Sequence, residues 1–547
     1  MSVPTLDFAA ALAEFEHDIA EERFWRLQPP LVRLWDGAWN LRGKVTQIIS
    51  AEITELNNET GMAHLELPLD YWISEWVVDI DSRLDNIHLT VDKDGVRWSG
   101  RMSMFEVRKQ EDGTGVLAMS FRHDYEELKH IICYPNPALP PEIQFPRHFF
   151  LFGSASWGLK LCAFLNIARL ESSAWTLPDD PLDASNWFNL DQSRWWIVVA
   201  PGSLASDTSM PALVHSRMKS LHEVGKKIVA DAQLTWTFRR WLQGDPPPWP
   251  GAVVRHGCLV IDLVNKGASG MVTSYFGNLF TGLVKAVIGM DENGLEEGID
   301  IADDPNIDPP PQYGDPDYLG TVPTAPWVIY RDGPGTGIQT SAFSVQPATD
   351  VGVVAGGKSA PYVNELISAA VQTAGDLIAA AIVVPPIGGA LDALLKPLYT
   401  DTILAFGKWK NIARAQRLGP SRYHESFSEG ADRAYTLGWL LAMRAGMWAT
   451  REQISHEIVV ADGAPYRIGA QGHGHFYLGD RIGSTVRGMK PGRIFIDQVS
   501  EVSLSWDRER APGWKITIGK REHKDPVVKA WEALQDVLGL IQDLGVL

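Results

Sequence analysis

The hydrophobic pattern at the start of the chain predicts an amphipathic helix. Four apolar residues recur there at spacings of four, three and four, with acidic residues between them: Phe8, Leu12, Phe15 and Ile19. This spacing places the apolar side chains on one helical face. Because Pro29 and Pro30 cannot continue a helix interior, we expect the helix within residues 1–28. Docking on its own domain is favoured over a role as a partner-binding arm.

Residues 29–135 predict a first β domain, because strand-like runs alternate with turn residues. The runs are His88–Val91, Val96–Val107 and Val116–His123. The pair Asp94-Gly95 separates the first two runs, and Asp-Gly between β-rich runs is a strong hairpin signal. The pattern indicates a β-meander with one buried face.

Two proline-rich breaks delimit the next domain. Five prolines lie between residues 135 and 146, and the sequence GDPPPWPG occupies 244–251. Proline removes a backbone donor and restricts the preceding residue, so neither break continues a helix or a strand ladder. We interpret residues 136–250 as a helix-rich, tryptophan-rich domain that is mostly helical over 147–243.

Residues 251–345 predict a β-containing segment with an acidic loop. A β-like run covers Gly257–Val264, and the stretch Asp291–Tyr318 carries ten acidic residues and no Lys or Arg. Like charges at that density repel one another, so we expect a solvated loop.

The last third of the chain predicts a helical domain over residues 346–450, a second β domain over 451–525 and a C-terminal helix over 526–547. The expected helices are rich in Ala, Leu and Ile, at Val363–Val384, Ala390–Trp409, Ser428–Met447 and Pro526–Leu544. The expected strands are Glu457–Val460, His475–Leu478, Arg493–Ile496, Val502–Trp506 and Trp514–Ile518. The fold class is therefore α+β and multidomain, with two β-meanders and helix-rich insertions.

Composition narrows the classes of function. The 547 residues include 67 acidic and 49 basic side chains, which gives a formal charge of −18. A protein that coats duplex nucleic acid needs the opposite sign. Three scattered cysteines are too few for a disulfide framework or a structural zinc site. The N-terminus lacks the basic and apolar regions of a signal peptide, and Glu365 and Asp376 interrupt the longest apolar stretch, so we expect no stable membrane insertion.

The segment Gly352–Ser359 matches the P-loop pattern G-x-x-x-x-G-K-[ST] letter for letter. A true P-loop follows an apolar strand and opens a helix at the lysine, so that backbone N–H groups converge on phosphate. Pro347 and Asp350 interrupt the preceding run, and Pro361 follows closely. We therefore favour a glycine-rich turn over nucleotide binding.

The acidic stretch contains residue types suited to calcium but lacks a complete calcium-loop pattern. The calcium-loop positions are occupied by Asp304, Asn306, Asp308 and Asp315, but Pro309 occupies the position that requires glycine. This favours a solvated acidic loop.

His473 and His475 alternate, as on one face of a strand, without a third zinc ligand at suitable spacing. Neither H-E-x-x-H nor G-x-S-x-G occurs in the chain. We assign no catalytic residue, no metal ligand and no cofactor-binding residue, and we expect no cofactor.

Tryptophan is the most distinctive feature of the composition. The chain has 21 tryptophans, many beside Arg or Pro, as in RFWR, PPLVRLWDGAWN and FRRW. Trp and Arg are enriched at interface hot spots because each covers a large area with little entropy loss. We rank extended protein contact first, core packing second and a carbohydrate platform third.

Six long blocks resemble the minor tail proteins of long-tailed phages that infect mycobacteria and related actinobacteria. The blocks are PPLVRLWDGAWNLRGKV, HLTVDKDGVRWSGRM, DAQLTWTFRRWLQGD, APWVIYRDGPGTGIQTSAF, DRAYTLGWLLAMRAGMWATR and HFYLGDRIGSTV. The similarity runs over nearly the whole chain and is greatest to the tail-hub member.

The resemblance implies a structural protein of the virion and not an enzyme. It implies a homotrimeric baseplate hub at the distal end of the tail, in which each subunit contributes two tube-like β-barrel domains. The two β-meanders are the candidates for these domains. The implied partners are the distal tail protein, the tape-measure protein and other minor tail proteins, while DNA passes through without specific binding.

One alternative from a different class remains open. Plentiful acidic residues and tryptophans also fit a tail-associated cell-wall hydrolase or carbohydrate-binding module. Glycan turnover that a single carboxylate substitution abolishes would favour that alternative.

Overall fold

The computed structural model describes most of the N-terminal half and separate parts of the remainder. The described ranges are 8–110, 113–183, 187–209, 211–267, 300–302, 311–315, 318–323, 326–333, 337–357, 405–428, 453–489 and 494–519, with single positions 368, 369, 372, 396, 446 and 450. Two compact units make up the chain. Unit 1 comprises Met1–Leu279, Ile299–Phe343 and His456–Arg521, and unit 2 comprises Phe280–Gly298, Ser344–Ser455 and Glu522–Leu547.

The described helices are short apart from two. They are α1 (Phe8–Leu27), α2 (Trp72–Val78), α3 (Glu127–His130), α4 (Ala155–Glu171), α5 (Leu221–Asp231) and α6 (Ile412–Leu418). Single 3-10 turns cover Asp124–Glu126, Gln192–Arg194 and Pro311–Gly314. The predicted N-terminal helix is confirmed, and it ends before Pro29 as expected.

Strands dominate the described residues. The N-terminal strands are β1 (Leu31–Asp36), β2 (Leu41–Lys44), β3 (Ser50–Leu56), β4 (Met62–Pro68), β5 (Ile87–Lys93), β6 (Val96–Lys109), β7 (Gly115–His123) and β8 (Ile132–Cys133). The middle strands are β9 (Phe149–Ser154), β10 (Ile197–Val199), β11 (Pro211–Ser216), β12 (Lys219–Ser220), β13 (Leu234–Arg240) and β14 (Leu259–Asn265). The C-terminal strands are β15 (Asp300–Ala302), β16 (Ile329–Tyr330), β17 (Ile338–Gln346), β18 (Gly352–Gly356), β19 (Phe406–Lys410), β20 (Ser426–Ser428), β21 (Gln453–Ala461), β22 (Arg481–Ser484), β23 (Ile494–Asp507) and β24 (Gly513–Ile518).

The first β-meander forms as the sequence predicts. β5 and β6 pair from His88↔Arg101 to Lys93↔Val96, and β6 continues into an antiparallel pair with β7. At the first turn, Asp94 and Gly95 both have positive φ, at 50° and 76°. A two-residue turn of this kind matches the right-handed twist of the strands, which explains the Asp-Gly pair.

The pairing of β3 with β23 joins the first and second meanders in one sheet. Seven antiparallel residue pairs run from Glu501↔Leu56 to Asp507↔Ser50. The sheet order is β17-β21-β24-β23-β3-β4-β7-β6-β5-β1-β2, with β15 and β22 also paired to β23 and β16 paired to β22. Strands from opposite ends of the sequence are therefore neighbours at the centre of one large antiparallel sheet.

This sheet encloses two separate hydrophobic cores within unit 1. The first core contains Leu34, Leu67 and Phe121, and the second contains Phe476 and Ile516, all at most 2% exposed. β4 alternates buried and more exposed residues, as expected for a sheet with one face on a core, whereas β5 is buried along almost its whole length. Trp506 on β23 packs against both cores, so the long strand that joins the meanders also joins their interiors.

The second meander differs from prediction in two places. β21 and β24 confirm the runs at 457–460 and 514–518, but β23 passes without interruption through both runs at 493–496 and 502–506. The run His475–Leu478 is not a strand. Four glycines surround it, and Gln471 and Gly472 have positive φ, so turns replace the ladder.

The interpretation of residues 147–243 as mostly helical is wrong. Besides α4 and α5, the segment contains β9 to β13, and β13 pairs with β14 from Leu234↔Asn265 to Arg240↔Leu259. Side chains of the run Thr235–Phe238 are β-branched or aromatic and fit a pleated surface better than a helix. α4, α5 and these strands surround a third core in unit 1 that includes Leu159 and Trp236.

The described part of unit 2 limits the helical interpretation of residues 346–450: positions 368, 369, 372, 396 and 446 are helical, but three strands lie in the same range. β18 pairs with β19 antiparallel and with β20 in parallel, so the expected helices Ala390–Trp409 and Ser428–Met447 do not extend over β19 or Ser428. Phe406 and Trp409 suit a strand, and Asn411 accepts a hydrogen bond from the Arg414 N–H at the start of α6.

Several other predictions lie outside the described residues. They include most of Val363–Val384, most of the acidic stretch at 291–318 and the whole C-terminal helix at 526–547. The described chain is mostly β with some helices, and the division into seven segments stays a prediction.

The position of Leu504 at the centre of the β3–β23 pairing provides a test of this arrangement. Leu504 is 2% exposed and lies opposite Ile53. We expect Leu504→Ala to lower the free energy of unfolding by about 2–5 kcal/mol, since it leaves a cavity. Urea denaturation followed by tryptophan fluorescence measures the change. Exposed Ser505 is the control, and Ser505→Ala should shift the value by less than about 0.5 kcal/mol; equal effects of the two would contradict the pairing.

Candidate functional site

The P-loop match does not form a phosphate loop in the described residues. Gly352–Gly356 is β18, in register with β19 from Gly352↔Lys410 to Gly356↔Phe406. Strand N–H groups point sideways into the ladder and do not converge on an anion. The favoured glycine-rich turn is equally wrong for these five residues, and the motif's Lys358 and Ser359 lie outside the described chain.

The candidate metal ligands do not assemble either. Asp304, Asn306, Asp308 and Pro309 lie outside the described residues, and Asp315 is exposed. Within the part of the chain that the structure describes, no group of three or more His, Cys, Asp or Glu side chains could hold a metal ion.

The two histidines His473 and His475 occupy turns and not one face of a strand. The ring Nδ1 of His475 accepts a hydrogen bond from the backbone N–H of Arg467 at 2.8 Å, and its ring packs edge-on against Trp327. His473 is exposed. Their surroundings fit a structural role for His475.

The three cysteines Cys133, Cys162 and Cys258 are buried free thiols. The neighbouring Cys162 and burial raise the pKa of the Cys133 thiol, and burial raises the pKa of Cys258 to about 12. A thiol is a nucleophile only as the thiolate, so Cys133 and Cys258 serve packing. Among the described helices, none is long and apolar enough to cross a bilayer.

The tryptophans that the structure describes divide into three groups of six, which are buried, half-buried and exposed. Eighteen of the 21 lie in the described residues. Six are buried and six are exposed, the buried ones being Trp35, Trp39, Trp98, Trp195, Trp236 and Trp514 and the exposed ones Trp25, Trp72, Trp175, Trp187, Trp327 and Trp409. Core packing therefore accounts for as many described tryptophans as remain fully exposed, and the ranking of protein contact first stays a prediction.

A buried ion pair connects the first β-meander to the third core. The Arg240 guanidinium donates from Nε and Nη2 to the two carboxylate oxygens of Asp124, at 2.8 and 3.0 Å. The Ser99 hydroxyl donates to Asp124 at 2.5 Å, and Arg240 donates to the Gly257 carbonyl at 3.1 Å. Burial alone would raise the pKa of Asp124, but Arg240 and these hydrogen bonds hold it below its ordinary range.

Aromatic rings complete this junction, which we define as Asp124, Arg240, Trp39 and His88. The Arg240 guanidinium lies 4.7 Å from the Trp39 ring centroid, and the His88 ring stacks on the Trp39 ring with the two centroids 4.5 Å apart. Gly257 approaches Trp39 so closely that a Cβ there would overlap the indole. The junction is thus a packed, charge-compensated contact between two parts of unit 1.

One surface loop of unit 1 is strongly apolar. It follows α4, and we call residues 172–183 and 187–190 the apolar loop. Its exposed side chains are Trp175, Leu177, Leu182, Trp187, Phe188 and Leu190, with Leu182 95% exposed. Exposed apolar residues gathered on one loop favour an interaction site in a soluble protein.

Helix α1 also presents apolar residues to solvent. Leu12 and Ile19 from the predicted stripe are 57% and 45% exposed, and Phe24 is 62% exposed. Near its end, Arg26 donates to the Asp462 carboxylate at 3.0 Å and to the Tyr466 carbonyl at 3.1 Å. The expectation that the whole apolar stripe docks on its own domain is wrong for Leu12 and Ile19. Their exposure favours the alternative interpretation, in which α1 binds a partner.

The burial of His88 predicts acid sensitivity. Burial and the nearby Arg240 lower the pKa of His88 to about 3, with Arg101, Asp124 and Asp36 as the other charged neighbours. Unfolding lets the ring bind a proton below its ordinary pKa of about 6.5, so this contribution to stability falls as pH drops from 6.5 toward 3. Between pH 7.5 and 5.5 the loss is about 1.4 kcal/mol.

His88→Gln should remove this part of the pH dependence, whatever its effect at a single pH. Urea denaturation at both pH values gives the difference directly. The control His64→Gln removes an exposed histidine and should keep the wild-type difference. An unchanged difference in His88→Gln would contradict the burial of a neutral ring.

Comparison with known proteins gives matches across almost the whole chain. The family model for Siphovirus ReqiPepy6 Gp37-like protein matches residues 31–520. Minor tail protein Gp28 of Mycobacterium phage D29 is 35% identical over 95% of this chain and 96% of its own length. Minor tail protein Gp28 of Mycobacterium phage L5 is 34% identical over the same shares. The resemblance to mycobacteriophage minor tail proteins is confirmed.

Solved structures give weaker matches. The tail protein from Neisseria meningitidis MC58 has a TM-score of 0.37 and 9% identity, covering 91% of this chain and 99% of that one. Prophage tail protein gp18 from Listeria monocytogenes EGD-e has a TM-score of 0.37 and 10% identity, covering 93% and 99%. Similarity at this level does not define the fold, whereas the sequence matches do define the family: the chain belongs to the Siphovirus ReqiPepy6 Gp37-like proteins.

Proposed function

We propose that this chain is a structural protein of a phage tail, acting at the distal end as a homotrimeric baseplate hub. The observation that carries the proposal is the 35% identity to a mycobacteriophage minor tail protein over 95% of the chain. Similarity of that length covers the cores, the junction and the surface loops together. Because a minor tail protein is a structural part of the virion, we propose that the chain acts through assembly and not through catalysis.

The two cores of the large sheet support the hub part of the proposal. Each meander contributes most of one set of buried residues, and β3 pairs with β23 between the two sets. Two such β domains per subunit would give a trimer six similar elements around an axis. A ring of six could continue a tail tube with sixfold symmetry, and it would connect that tube to the distal tail protein and the tip proteins.

The exposed apolar surfaces support assembly with copies of the chain and with neighbouring tail proteins. Leu182 and Leu190 in the apolar loop and Phe24 in α1 lose their contact with water only if another molecule covers them. Burial of apolar area contributes about 25 cal/mol per Å². Obligate interfaces are large and more apolar than the remaining surface.

The net charge suits a channel that lets nucleic acid pass. A formal charge of −18 repels phosphate, and acidic residues that face a lumen would keep DNA and the tape-measure protein from adhering. A lumen lined with Lys and Arg would contradict this part of the proposal.

Charged substitutions in the apolar loop test the assembly function. Leu182→Glu combined with Leu190→Glu should leave folding unchanged, because both side chains are largely exposed, at 95% and 73%. The same variant should lower the yield of infectious particles by about tenfold or more when it replaces the wild-type chain, since buried unpaired carboxylates cost several kcal/mol in an interface.

The matched control is Leu182→Met with Leu190→Met, which keeps an apolar surface and should give wild-type yields. Circular dichroism and thermal unfolding establish that both variants fold. A normal yield of infectious particles from the glutamate variant would contradict the proposal that this loop is covered in the virion. Peptidoglycan turnover by the purified wild-type chain would instead favour a hydrolase.

A further inference from the structure

A cleft of about 650 Å³ opens on unit 1 beside the β5–β6 hairpin. Its walls come from the end of α1, from β13 and from the turns at 462–473 and include Trp25 and Trp514. Its volume lies within the range of pockets that hold small ligands or short peptide segments. Two of the Trp/Arg motifs of the sequence, RFWR and FRRW, contribute to it through Trp25, Arg26 and Arg239.

The walls of the cleft carry an excess of positive charge in an otherwise acidic protein. Five cationic side chains line it: Arg26, Lys93, Arg97, Arg239 and Arg467. Three carboxylates line it: Asp92, Asp94 and Asp462. The local balance is therefore opposite in sign to the −18 of the whole chain.

The three carboxylates already have cationic partners. Arg97 binds Asp92 and also Asp245, which lies outside the cleft wall. Lys93 lies 3.3 Å from Asp94, and Arg26 lies 3.0 Å from Asp462. These contacts compensate every acidic side chain in the wall.

Two arginines of the wall remain without a carboxylate. Within the described residues, neither Arg239 nor Arg467 forms an ion pair. Arg239 donates from Nη1 to the Gly95 carbonyl at 3.2 Å, which holds its guanidinium at the hairpin. Burial and the neighbouring Arg97 lower the pKa of Arg239, which means that an anion at this position would be favoured.

The shape and chemistry of the cleft select among anions. A guanidinium binds a carboxylate through two parallel N–H···O bonds, and the exposed Trp25 ring offers flat apolar surface for an extended backbone or side-chain stem. The negative charge of the whole chain repels a long polyanion. A short acidic segment brings few charges and fits.

We propose that the cleft binds an acidic peptide segment of a partner protein, with Arg239 and Arg467 receiving its carboxylates. This goes beyond the hub proposal, because it names a site and the chemistry of its ligand. The test uses the purified chain and a peptide, so its failure would leave the assembly proposal untouched.

The experiment measures binding of fluorescein-labelled hexaglutamate to the full chain by fluorescence anisotropy. We expect saturable binding at low ionic strength that is lost at about 1 M salt, where the Debye length is about 3 Å. Hexaglutamine of the same length should not bind. Arg239→Gln combined with Arg467→Gln should weaken hexaglutamate binding by about tenfold or more, as expected for the loss of charge-assisted hydrogen bonds.

The control variant is Arg510→Gln, which removes one positive charge from a side chain that is 85% exposed outside the cleft wall. It should change affinity by less than about twofold. If the double variant unfolds, Arg467→Gln alone carries the test, since its side chain forms no ion pair in the described chain. Equal binding by wild type and cleft variants, or equal binding of the two peptides, would overturn the proposal. Tighter binding of hexathymidylate that the same substitutions abolish would assign the cleft to nucleic acid instead.

Discussion

The pairing of β3 with β23 is the constraint on which the rest of unit 1 depends. Seven residue pairs bring Ser50–Leu56 against Glu501–Asp507. Closing so long a loop costs conformational entropy before any contact compensates for it, so the strands are stable neighbours only because both cores form beside them. Trp506, which packs on both cores, lies in this contact. The hairpin tip at Asp94-Gly95 and the cleft beside it depend on the same closure.

The junction of Asp124, Arg240, Trp39 and His88 adds orientation more than net stability. A buried ion pair gives back in Coulomb energy roughly what its desolvation costs, but removal of one partner leaves an uncompensated charge. The two-point contact between Arg240 and Asp124 therefore favours one arrangement of the first meander against the third core. A rigid arrangement suits a protein that acts by assembly. Surfaces such as the apolar loop lose less conformational entropy on binding if they already have the shape that their partners require.

Local sequence signals predict the elements whose formation depends on neighbouring residues along the chain. The Asp94-Gly95 hairpin, α1 and the strands β21 and β24 follow from turn chemistry and periodicity. The strands between 147 and 243 were missed because their aromatic runs are short and fit either element. The P-loop match was misleading because a short sequence motif does not specify the secondary structure in which it occurs, and here its first five residues form a strand.

The surfaces that matter for function could not be predicted from local patterns. The cleft combines residues near 26, 95, 239 and 467, which meet only after the long-range pairing forms. Family membership came from long blocks of resemblance, whose information is distributed over the chain and is independent of any single motif.

An electron-microscopy map of the tail of a phage that carries this chain tests the central claim most directly. The account predicts three copies around the tail axis at the distal end, with residues 172–190 of each copy covered by another protein. A map with a single copy away from the axis, and with that loop in solvent, would contradict it.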